Sequence, residues 1–377
     1  MIKRILFVGG TFNNDGGKPS GLVKKVYDSI VKDSRREIEL FNGGFFNELE
    51  GIIQKSVNAD AVIWWANVPN DLPKIRNVKE INYKTMLVNS KRNDDKKYKI
   101  FEIQQRNFAE KANLCVIFAK TDGKYKMTLI DPLSNCFYDG YDVDEMTEKM
   151  LTRLDFLKSI TRQSTTTAEE NNGALAYYFN QFKQEMEKVD DDFKKEVKDK
   201  KEFVNLVKEY VNQFAFCVTH SSDVKRFLGN SAFRCIKGLP SFRDDEYIFV
   251  TRRNVDKMYI DIDAFVPTYL GDDDKLYYYG DYKPSVDSPI QVRLYKALPN
   301  INYIIHAHCY VKGGEFTDKA LPCGALEEVD EILAHIKDRN KNFYALNLKG
   351  HGMLIMGNTV EDLKGMEFYS RPELELC

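Results

Sequence analysis

The first 120 residues alternate short apolar runs with helical stretches, and this alternation limits the folds that are open to the chain. Candidates for buried strands lie at residues 4–8, 59–65, 85–88 and 114–118, and a helix is predicted over residues 21–31. Apolar runs of this length are typical of strands that are covered on both faces. Strands that alternate with helices favour a parallel sheet with helices on both sides. We therefore predict an α/β fold here, a doubly wound parallel sheet.

A glycine-rich loop follows the first predicted strand, at the position where open sheets of the Rossmann-like or flavodoxin-like kind bind their ligands. Backbone amides at the start of the next helix can bind a phosphate there. The loop matches neither G-x-G-x-x-G nor the P-loop pattern. A connection without a ligand is the alternative, and residues 91–94 are a second candidate anion contact. The residues expected to bind a ligand in this domain are Gly9, Gly10, Gly17, Lys18 and Ser20.

A Ser/Thr-rich stretch over residues 159–167 lacks periodicity and has the composition of a linker. At 377 residues the chain exceeds the size at which one core stops growing, so two domains are expected. We place the Rossmann/flavodoxin-like domain at residues 1–165 and a second domain at residues 170–377. The second domain contains a predicted helix over residues 174–214.

The charge and composition of the chain bear on the kind of partner that it binds and on its location. Lysine and arginine number 55 against 57 acidic residues, and the formal net charge is −2. That balance gives no reason to expect a nucleic acid or an anionic membrane as the partner. No apolar stretch is long enough to span a bilayer and the start MIKRILFVGG lacks a cleavage site, so a cytoplasmic protein is expected. The seven cysteines lack C-x-x-C spacing, as expected for reduced thiols.

Three of the five histidines lie where they can bind one metal ion. His306 and His308 end the apolar run NYII, and His351 lies between Gly350 and Gly352 after a second strand-like stretch. Side chains two apart on a strand point to the same face, so the first two rings can reach one ion. Three protein ligands with an open fourth position are typical of a catalytic zinc site. The alternative is three hydrogen-bonded core histidines.

The histidines belong to a longer series of motifs in the second half of the chain. In order, these are GNSAFR, YIFVTRRN, KPSVDSPIQVRLYKALPNINYIIHAH, FTDKALPCGALEEV and LNLKGHGMLIMG. The series resembles the class II aldolase and adducin family over roughly residues 205 to 365. The segment with the HxH pair is most similar to the L-ribulose-5-phosphate 4-epimerases, while L-fuculose-1-phosphate aldolases have glutamate at the position of Asp287. The resemblance implies an α/β/α domain.

The resemblance also implies a metal centre. It assigns His306, His308 and His351 as ligands of zinc or of another divalent metal such as Mn²⁺. Asp287 is implied to be either a fourth ligand, as in the epimerases, or a general base, as in the aldolases. A carboxylate beside a divalent cation can serve in both ways.

Substrate contacts follow from the same resemblance. The turn Gly229-Asn230-Ser231 and Ser285 are implied to bind a phosphate. The chain departs from the family where a T-x-S-G segment is replaced by Thr251-Arg252-Arg253-Asn254. The guanidinium of Arg252 or its neighbour can bind phosphate through two parallel hydrogen bonds, but in a pocket of different shape. Exposed turn residues are the alternative for both arginines.

The remaining functional assignments rest on shorter matches. The connection between His308 and His351 is shorter than in the epimerases, and Asp318 is the acid/base that the resemblance implies, with Glu315 as its substitute. The resemblance implies that Tyr369 corresponds to a catalytic tyrosine that often reaches a neighbouring subunit's site, with a packing residue as the alternative, and that the protein forms a homotetramer. A homo-oligomer is therefore expected.

We interpret the chain as a metal-dependent carbon–carbon lyase or a 4-epimerase that acts on a phosphorylated or nucleotide-linked sugar. A divalent ion stabilises the enediolate that forms when the adjacent carbon–carbon bond breaks. One alternative is an adducin-like binding or scaffold protein without metal chemistry. Another is a nucleotide-binding or sugar-binding transferase activity in the first domain.

Overall fold

The computed structural model describes residues 1–68, 78, 81–82, 84–121, 123–163, 165–167, 191–211, 213, 227–234, 247–278 and 280–377. Its described residues divide into two compact units. The first comprises Met1–Ser159 together with Pro372–Cys377, and the second lies between Ile160 and Arg371. Each unit has its own sheet. The domain limits predicted from the sequence stay a prediction.

The sheet of the first unit has seven strands within the described residues, in the order β2-β1-β3-β4-β5-β6-β7. The first five strands are parallel, and the last two pair antiparallel at one edge. The strands are β1 (Arg4–Asn13), β2 (Glu37–Phe45), β3 (Ala61–Asn67), β4 (Met86–Arg92), β5 (Leu114–Thr121), β6 (Lys124–Ile130) and β7 (Cys136–Gly140). The helices are α1 (Gly21–Ile30), α2 (Leu49–Gln54), α3 (Ile100–Ala109) and α4 (Val143–Ser159).

Both faces of this sheet are covered, because successive side chains of a strand point to opposite faces. On β1, Ile5 and Phe7 pack in one apolar cluster with residues of α1 and α4. Leu6 and Val8 pack in a second cluster with residues of α2. The predicted doubly wound parallel sheet is confirmed.

The sheet of the second unit has nine strands within the described residues, in the order β15-β16-β17-β13-β9-β10-β11-β12-β8. Its pairs are antiparallel except at its two edges, where β15 pairs with β16 and β12 with β8 in parallel. The strands are β8 (Thr165–Thr167), β9 (Asn230–Arg234), β10 (Tyr247–Thr251), β11 (Phe265–Leu270), β12 (Leu276–Tyr278), β13 (Tyr303–Ala307), β15 (Glu315–Phe316), β16 (Phe343–Leu348) and β17 (Gly352–Gly357). A separate pair joins β14 (Tyr310–Val311) to β18 (Phe368–Tyr369).

Helices cover both faces of this second sheet as well. The helix α5 (Asp191–Val211) packs on one face, where its Val207 belongs to the same apolar cluster as Ile305 of β13. The helices α6 (Ser288–Ala297) and α7 (Glu327–His335) pack on the other face, against a cluster that contains Ile304. This α/β/α arrangement is the architecture that the family resemblance implies.

Two local predictions are wrong. Thr165–Thr167, assigned to a linker, forms an edge strand that pairs with β12, as the β-branched threonines favour.

The second wrong prediction concerns the cysteines, which were expected to be reduced. Cys136 and Cys377 form a disulfide bond, because the backbone pairing of Cys136 with Glu375 brings the two Cα atoms to 5.0 Å. Cys115, Cys309 and Cys323 are free thiols, whereas Cys217 and Cys235 lie outside the described residues.

The predicted helix over residues 174–214 lies partly outside the described residues, and the structure gives its described part as α5. No described helix is both long and apolar enough to cross a membrane.

Candidate metal centre

The three histidines meet at the end of two neighbouring strands. His306 lies on β13, His308 follows that strand, and His351 lies in the turn from β16 to β17. The turn approaches β13 closely, since a Cβ atom at Gly352 would lie 2.1 Å from the carbonyl oxygen of Ala307. Glycine at this position therefore lets His351 come next to the HxH pair.

The imidazole rings form a compact triangle. Ring centroids lie 5.2 Å apart for His306 and His308, 4.7 Å for His306 and His351, and 5.0 Å for His308 and His351. One ligand nitrogen from each ring lies within 4.8 Å of the other two. All three side chains are buried, with residue exposures of 4%, 6% and 0%. The strand geometry thus brings together the three residues that the sequence singled out.

Each ring has one buried nitrogen without a hydrogen-bond partner in the described part of the chain. These atoms are Nε2 of His306, Nδ1 of His308 and Nε2 of His351. A buried polar atom without a partner costs about 1–3 kcal/mol, so three together are unfavourable unless something else binds them. A divalent metal ion fits this donor set, because neutral imidazole nitrogen is a preferred ligand of zinc.

The protonation states of the HxH pair favour metal binding. Burial, reinforced by the nearby His351, lowers the pKa of His306 to about 4. The same two causes hold the pKa of His308 well below its usual value. Both rings are therefore neutral at pH 7, as a metal ligand must be.

His351 differs because a carboxylate contacts it. Its Nδ1 lies 2.7 Å from Oε1 of Glu328, a buried residue of α7. Although burial opposes protonation, Cys323 and Glu328 hold the pKa of His351 well above its usual value. Nδ1 of His306, by contrast, lies 2.9 Å from the carbonyl oxygen of Met353.

Asp287 lies beside this cluster at the start of α6, where it is the N-cap residue and is buried. Its Oδ2 accepts a hydrogen bond of 2.9 Å from Nδ2 of Asn230, and its Oδ1 accepts one of 2.9 Å from the backbone amide of Gly324. Its charge interacts with His306. These bonds fix the direction of the carboxylate, which suits either of its predicted roles.

Several of the predicted phosphate contacts are joined to one another by hydrogen bonds, and Asn230 and Ser285 contact Asp287. The side-chain amide of Asn230 makes two hydrogen bonds. Its Nδ2 donates to Asp287, and its Oδ1 accepts from Nε2 of Gln291. Thr251 Oγ1 accepts from the amide of Ser231 at 3.1 Å, and the Thr251 carbonyl accepts from the amide of Ser285 at 3.0 Å. Two further residues complete the set. Gly229 has φ 77° and faces the His306 carbonyl. The guanidinium of Arg252 lies 4.7 Å from the ring centroid of Tyr282.

Asp318 is exposed and lies in a different group, with Glu331 and His335. Its amide donates to Oε1 of Glu331 at 2.8 Å, while Glu315 contacts Nδ1 of His335 at 3.0 Å. Tyr369 is partly exposed on β18, with its ring 5.7 Å from that of Tyr310. The structure therefore does not bring Asp318 into the triangle of histidines, and the roles of Asp318 and Tyr369 stay predictions.

Sequence reasoning missed three buried polar residues, Glu328, Gln291 and Lys257. Burial lowers the pKa of Lys257 to about 7 against the opposing effect of Asp256 and Asp287, and its Nζ donates to the Leu228 carbonyl at 3.1 Å. The sequence does indicate that Glu328 is buried, because it precedes Ile332 by four residues and so shares the apolar face of α7.

The first unit contains a cleft of about 1170 Å³ at the carboxyl ends of its strands. Ser20, Lys91 and Arg92, which belong to the two candidate anion segments, line it, and Ser20 is the N-cap of α1. Gly9, Gly10, Gly17 and Lys18 are not among its lining residues. They shape the loop instead, since the Lys18 carbonyl accepts from the amide of Thr11 at 2.9 Å.

Comparison with known proteins finds a family match for one segment of the chain. The family model described as the class II aldolase and adducin N-terminal domain matches residues 224–312. No curated protein matches the sequence significantly.

Several solved structures are similar to parts of the chain. The DNA/pantothenate metabolism flavoprotein from Streptococcus pneumoniae is 13% identical, with 42% of this chain and 100% of that chain covered and a TM-score of 0.34. An L-fuculose 1-phosphate aldolase is 17% identical, with 44% and 77% covered and a TM-score of 0.32. The L-fuculose-1-phosphate aldolase from Thermus thermophilus is 16% identical, with 46% and 83% covered and a TM-score of 0.27. TM-scores this low carry no argument about this chain.

The matched segment contains the predicted phosphate turn, Asp287 and the HxH pair, whereas His351 lies beyond it. Residues 224–312 therefore match the class II aldolase and adducin N-terminal domain, in agreement with the resemblance that the order of the sequence motifs shows.

Proposed function

We propose that the second unit is a divalent-metal-dependent enzyme that breaks a carbon–carbon bond in a phosphorylated or nucleotide-linked sugar, as an aldolase or a 4-epimerase. The observation that carries the proposal is the triangle of three buried histidines beside the buried carboxylate of Asp287, in which each ring has a nitrogen that no described residue contacts by a hydrogen bond. His306, His308 and His351 would hold zinc or Mn²⁺. The bound metal would polarise a substrate carbonyl and stabilise the negative charge that bond breaking places on it.

The carboxylate of Asp287 would act on the substrate's hydroxyl. As the base, it accepts the hydroxyl proton while the electrons of the O–H bond form the new carbonyl and those of the carbon–carbon bond pass to the keto fragment. An acid then returns a proton to that fragment, and Asp318 or Tyr369 is the predicted donor. Release of the aldehyde gives a lyase, whereas rotation and rejoining give an epimerase. The homotetramer and the cytoplasmic location stay predictions.

The substrate's anionic end would bind near the turn Gly229-Asn230-Ser231, Ser285 and Thr251, of which Asn230 and Ser285 contact Asp287. The guanidinium of Arg252, stacked on Tyr282, would add a charged contact. A small phosphorylated molecule is thus the proposed partner.

The alternative of a scaffold without metal chemistry is less favourable on energetic grounds. Three buried nitrogens without partners destabilise a fold by about 1–3 kcal/mol each, and a scaffold gains nothing in return. A direct test loads the full-length protein with Zn²⁺ or Mn²⁺ and screens ketose phosphates for release of an aldehyde or for inversion at C4. Turnover that EDTA abolishes and metal restores supports the proposal, whereas a metal-loaded protein that is inactive on every substrate of the set supports the scaffold.

We propose a second function, binding of a phosphate-bearing ligand, for the cleft of the first unit. Its described lining residues include one carboxylate, Asp94, which Arg92 already contacts at 2.6 Å. Such an excess of positive charge favours a polyanion. Aromatic rings, among them Trp65, also line the cleft and offer flat surfaces for a base or sugar. The cationic lining residues are Lys25, Lys91, Arg92, Lys97, Arg106 and Lys124.

ATP and inorganic tripolyphosphate are expected to change the intrinsic tryptophan fluorescence, because the two tryptophans, Trp64 and Trp65, are adjacent and Trp65 lines the cleft. A Lys25→Glu/Arg92→Glu variant should bind about 100-fold more weakly, since each lost charged contact contributes about 1.5–3 kcal/mol. Lys111→Glu, exposed and outside the cleft, is the matched control. Unchanged fluorescence and no calorimetric heat with either polyanion would refute this second function.

A further inference from the structure

Within the histidine triangle formed by His306, His308 and His351, His351 has a charged side chain as its hydrogen-bond partner in the described structure. The carboxylate belongs to Glu328, which neither the family match nor the sequence motifs assign. We propose that Glu328 is a positioning residue, which holds the ring of His351 so that Nε2 points at the metal. The inference rests on the metal centre proposed above.

The geometry of the contact is that of a strong, charge-assisted hydrogen bond. Oε1 of Glu328 lies 2.7 Å from Nδ1 of His351, and the two side chains are 5% and 1% exposed. Hydrogen bonds to ionised groups in this distance range are roughly twice as strong as neutral ones. Water does not compete for either partner at this burial, so the ring has one preferred orientation.

Glu328 is itself held in place by the helix that carries it. Val329 and Ile332 of α7 pack in the apolar cluster below the sheet. Glu327 accepts from the amide of Thr161 at 2.8 Å, and Glu331 accepts from the amides of the 318–319 segment. The helix is thus fixed on both sides of Glu328, which makes its carboxylate a rigid support.

The contact also determines which nitrogen can bind metal. A carboxylate only accepts hydrogen bonds, so Nδ1 of His351 keeps its proton and Nε2 is the nitrogen that gives up its proton to bind a metal. Nε2 is the buried atom without a partner in the described part of the chain. A carboxylate acceptor makes the imidazole more basic than a carbonyl acceptor does, and so strengthens it as a ligand.

Charge balance supports the same role. Three neutral imidazoles leave both charges of a divalent ion uncompensated in a buried site. Asp287 and Glu328 lie close enough for their charges to interact, and both are buried. Two carboxylates beside three neutral ligands would neutralise the ion, which lowers the cost of burying it.

The test measures Zn²⁺ affinity by competition with a chromophoric chelator, in the full-length protein and in three variants. Glu328→Gln removes the charge at nearly the same size, Glu328→Asp keeps the charge on a shorter side chain, and Asp330→Asn changes an exposed carboxylate on the same helix. We expect Glu328→Gln to bind Zn²⁺ about 10- to 100-fold more weakly, as for other partners of metal-bound histidines. Glu328→Asp should recover part of the loss, and Asp330→Asn should equal the wild type.

A second readout separates positioning from a general structural role. In the Zn²⁺-loaded wild type, ¹H–¹⁵N spectra of the histidine rings should show His351 protonated at Nδ1, with its proton shifted far downfield by the carboxylate. Glu328→Gln should move that resonance upfield and leave His306 in place. This spectrum needs only the wild type if the variant does not fold.

Wild-type affinity in a folded Glu328→Gln, or a His351 protonated at Nε2 in the loaded wild type, would overturn the proposed role of Glu328 alone. A wild type that binds no Zn²⁺ would overturn the metal centre itself, and the role of Glu328 with it.

Discussion

An Asp287→Ala variant is expected to lose metal-dependent turnover by about 10³-fold, in the middle of the range for removal of a general base. The carboxylate is buried, and two hydrogen bonds of 2.9 Å, from Asn230 and Gly324, fix its direction. A base held in this way is ready for proton transfer without reorganisation. The measurement is the initial rate of aldehyde release by the metal-loaded protein on a substrate found in the ketose phosphate screen.

Metal affinity of the same variant separates the two roles that the sequence left open for Asp287. A variant that is inactive but binds metal like the wild type identifies a base, whereas a large loss of affinity identifies a fourth ligand. Asp330→Ala, an exposed aspartate of α7, is the control and should keep full activity. Near-normal turnover by Asp287→Ala would remove this residue from the mechanism, and Asp318→Ala would be examined in its place.

A Phe233→Ala variant is expected to lower the free energy of unfolding of the second unit by about 3–5 kcal/mol, the usual cost of removing a buried aromatic side chain. Phe233 is fully buried on β9, three residues after Asn230. Its ring stacks on Phe249 at 5.1 Å and lies 4.9 Å from Phe265. Its loss would leave a cavity beneath the strand that pairs with β13.

Urea unfolding followed by circular dichroism gives this free energy. Tyr259→Ala is the matched control, because this aromatic side chain is 81% exposed, and its removal should change the free energy by less than about 0.5 kcal/mol. Equal stability of the two variants would show that the aromatic cluster around Phe233 does not form the core of this unit.

Apolar runs made the strands of the first unit predictable. The run at residues 4–8 becomes the first half of β1 and the run at residues 114–118 the start of β5, because both are covered on two faces. The HxH spacing was informative for the same reason. His306 and His308 lie two residues apart at the end of a central strand, so their rings share one side of it.

Residues whose role depends on distant partners were not predictable. The spacing of Glu328 from Ile332 indicates burial but not a partner, and only the approach of the His351 turn makes Glu328 part of the site. Thr165–Thr167 looked like a linker because its partner strand is more than 100 residues away. Asp318 was assigned from a contracted motif, whereas the fold directs it toward His335.

The most direct test of the metal centre is the metal content of purified protein, measured by inductively coupled plasma mass spectrometry beside a His306→Ala/His308→Ala variant. We predict about one zinc or other divalent ion per chain in the wild type and none in the variant, since two of the three imidazole ligands are gone. A wild type without bound metal at pH 7 that takes up none after incubation with Zn²⁺ or Mn²⁺ would contradict the proposed metal-dependent enzyme.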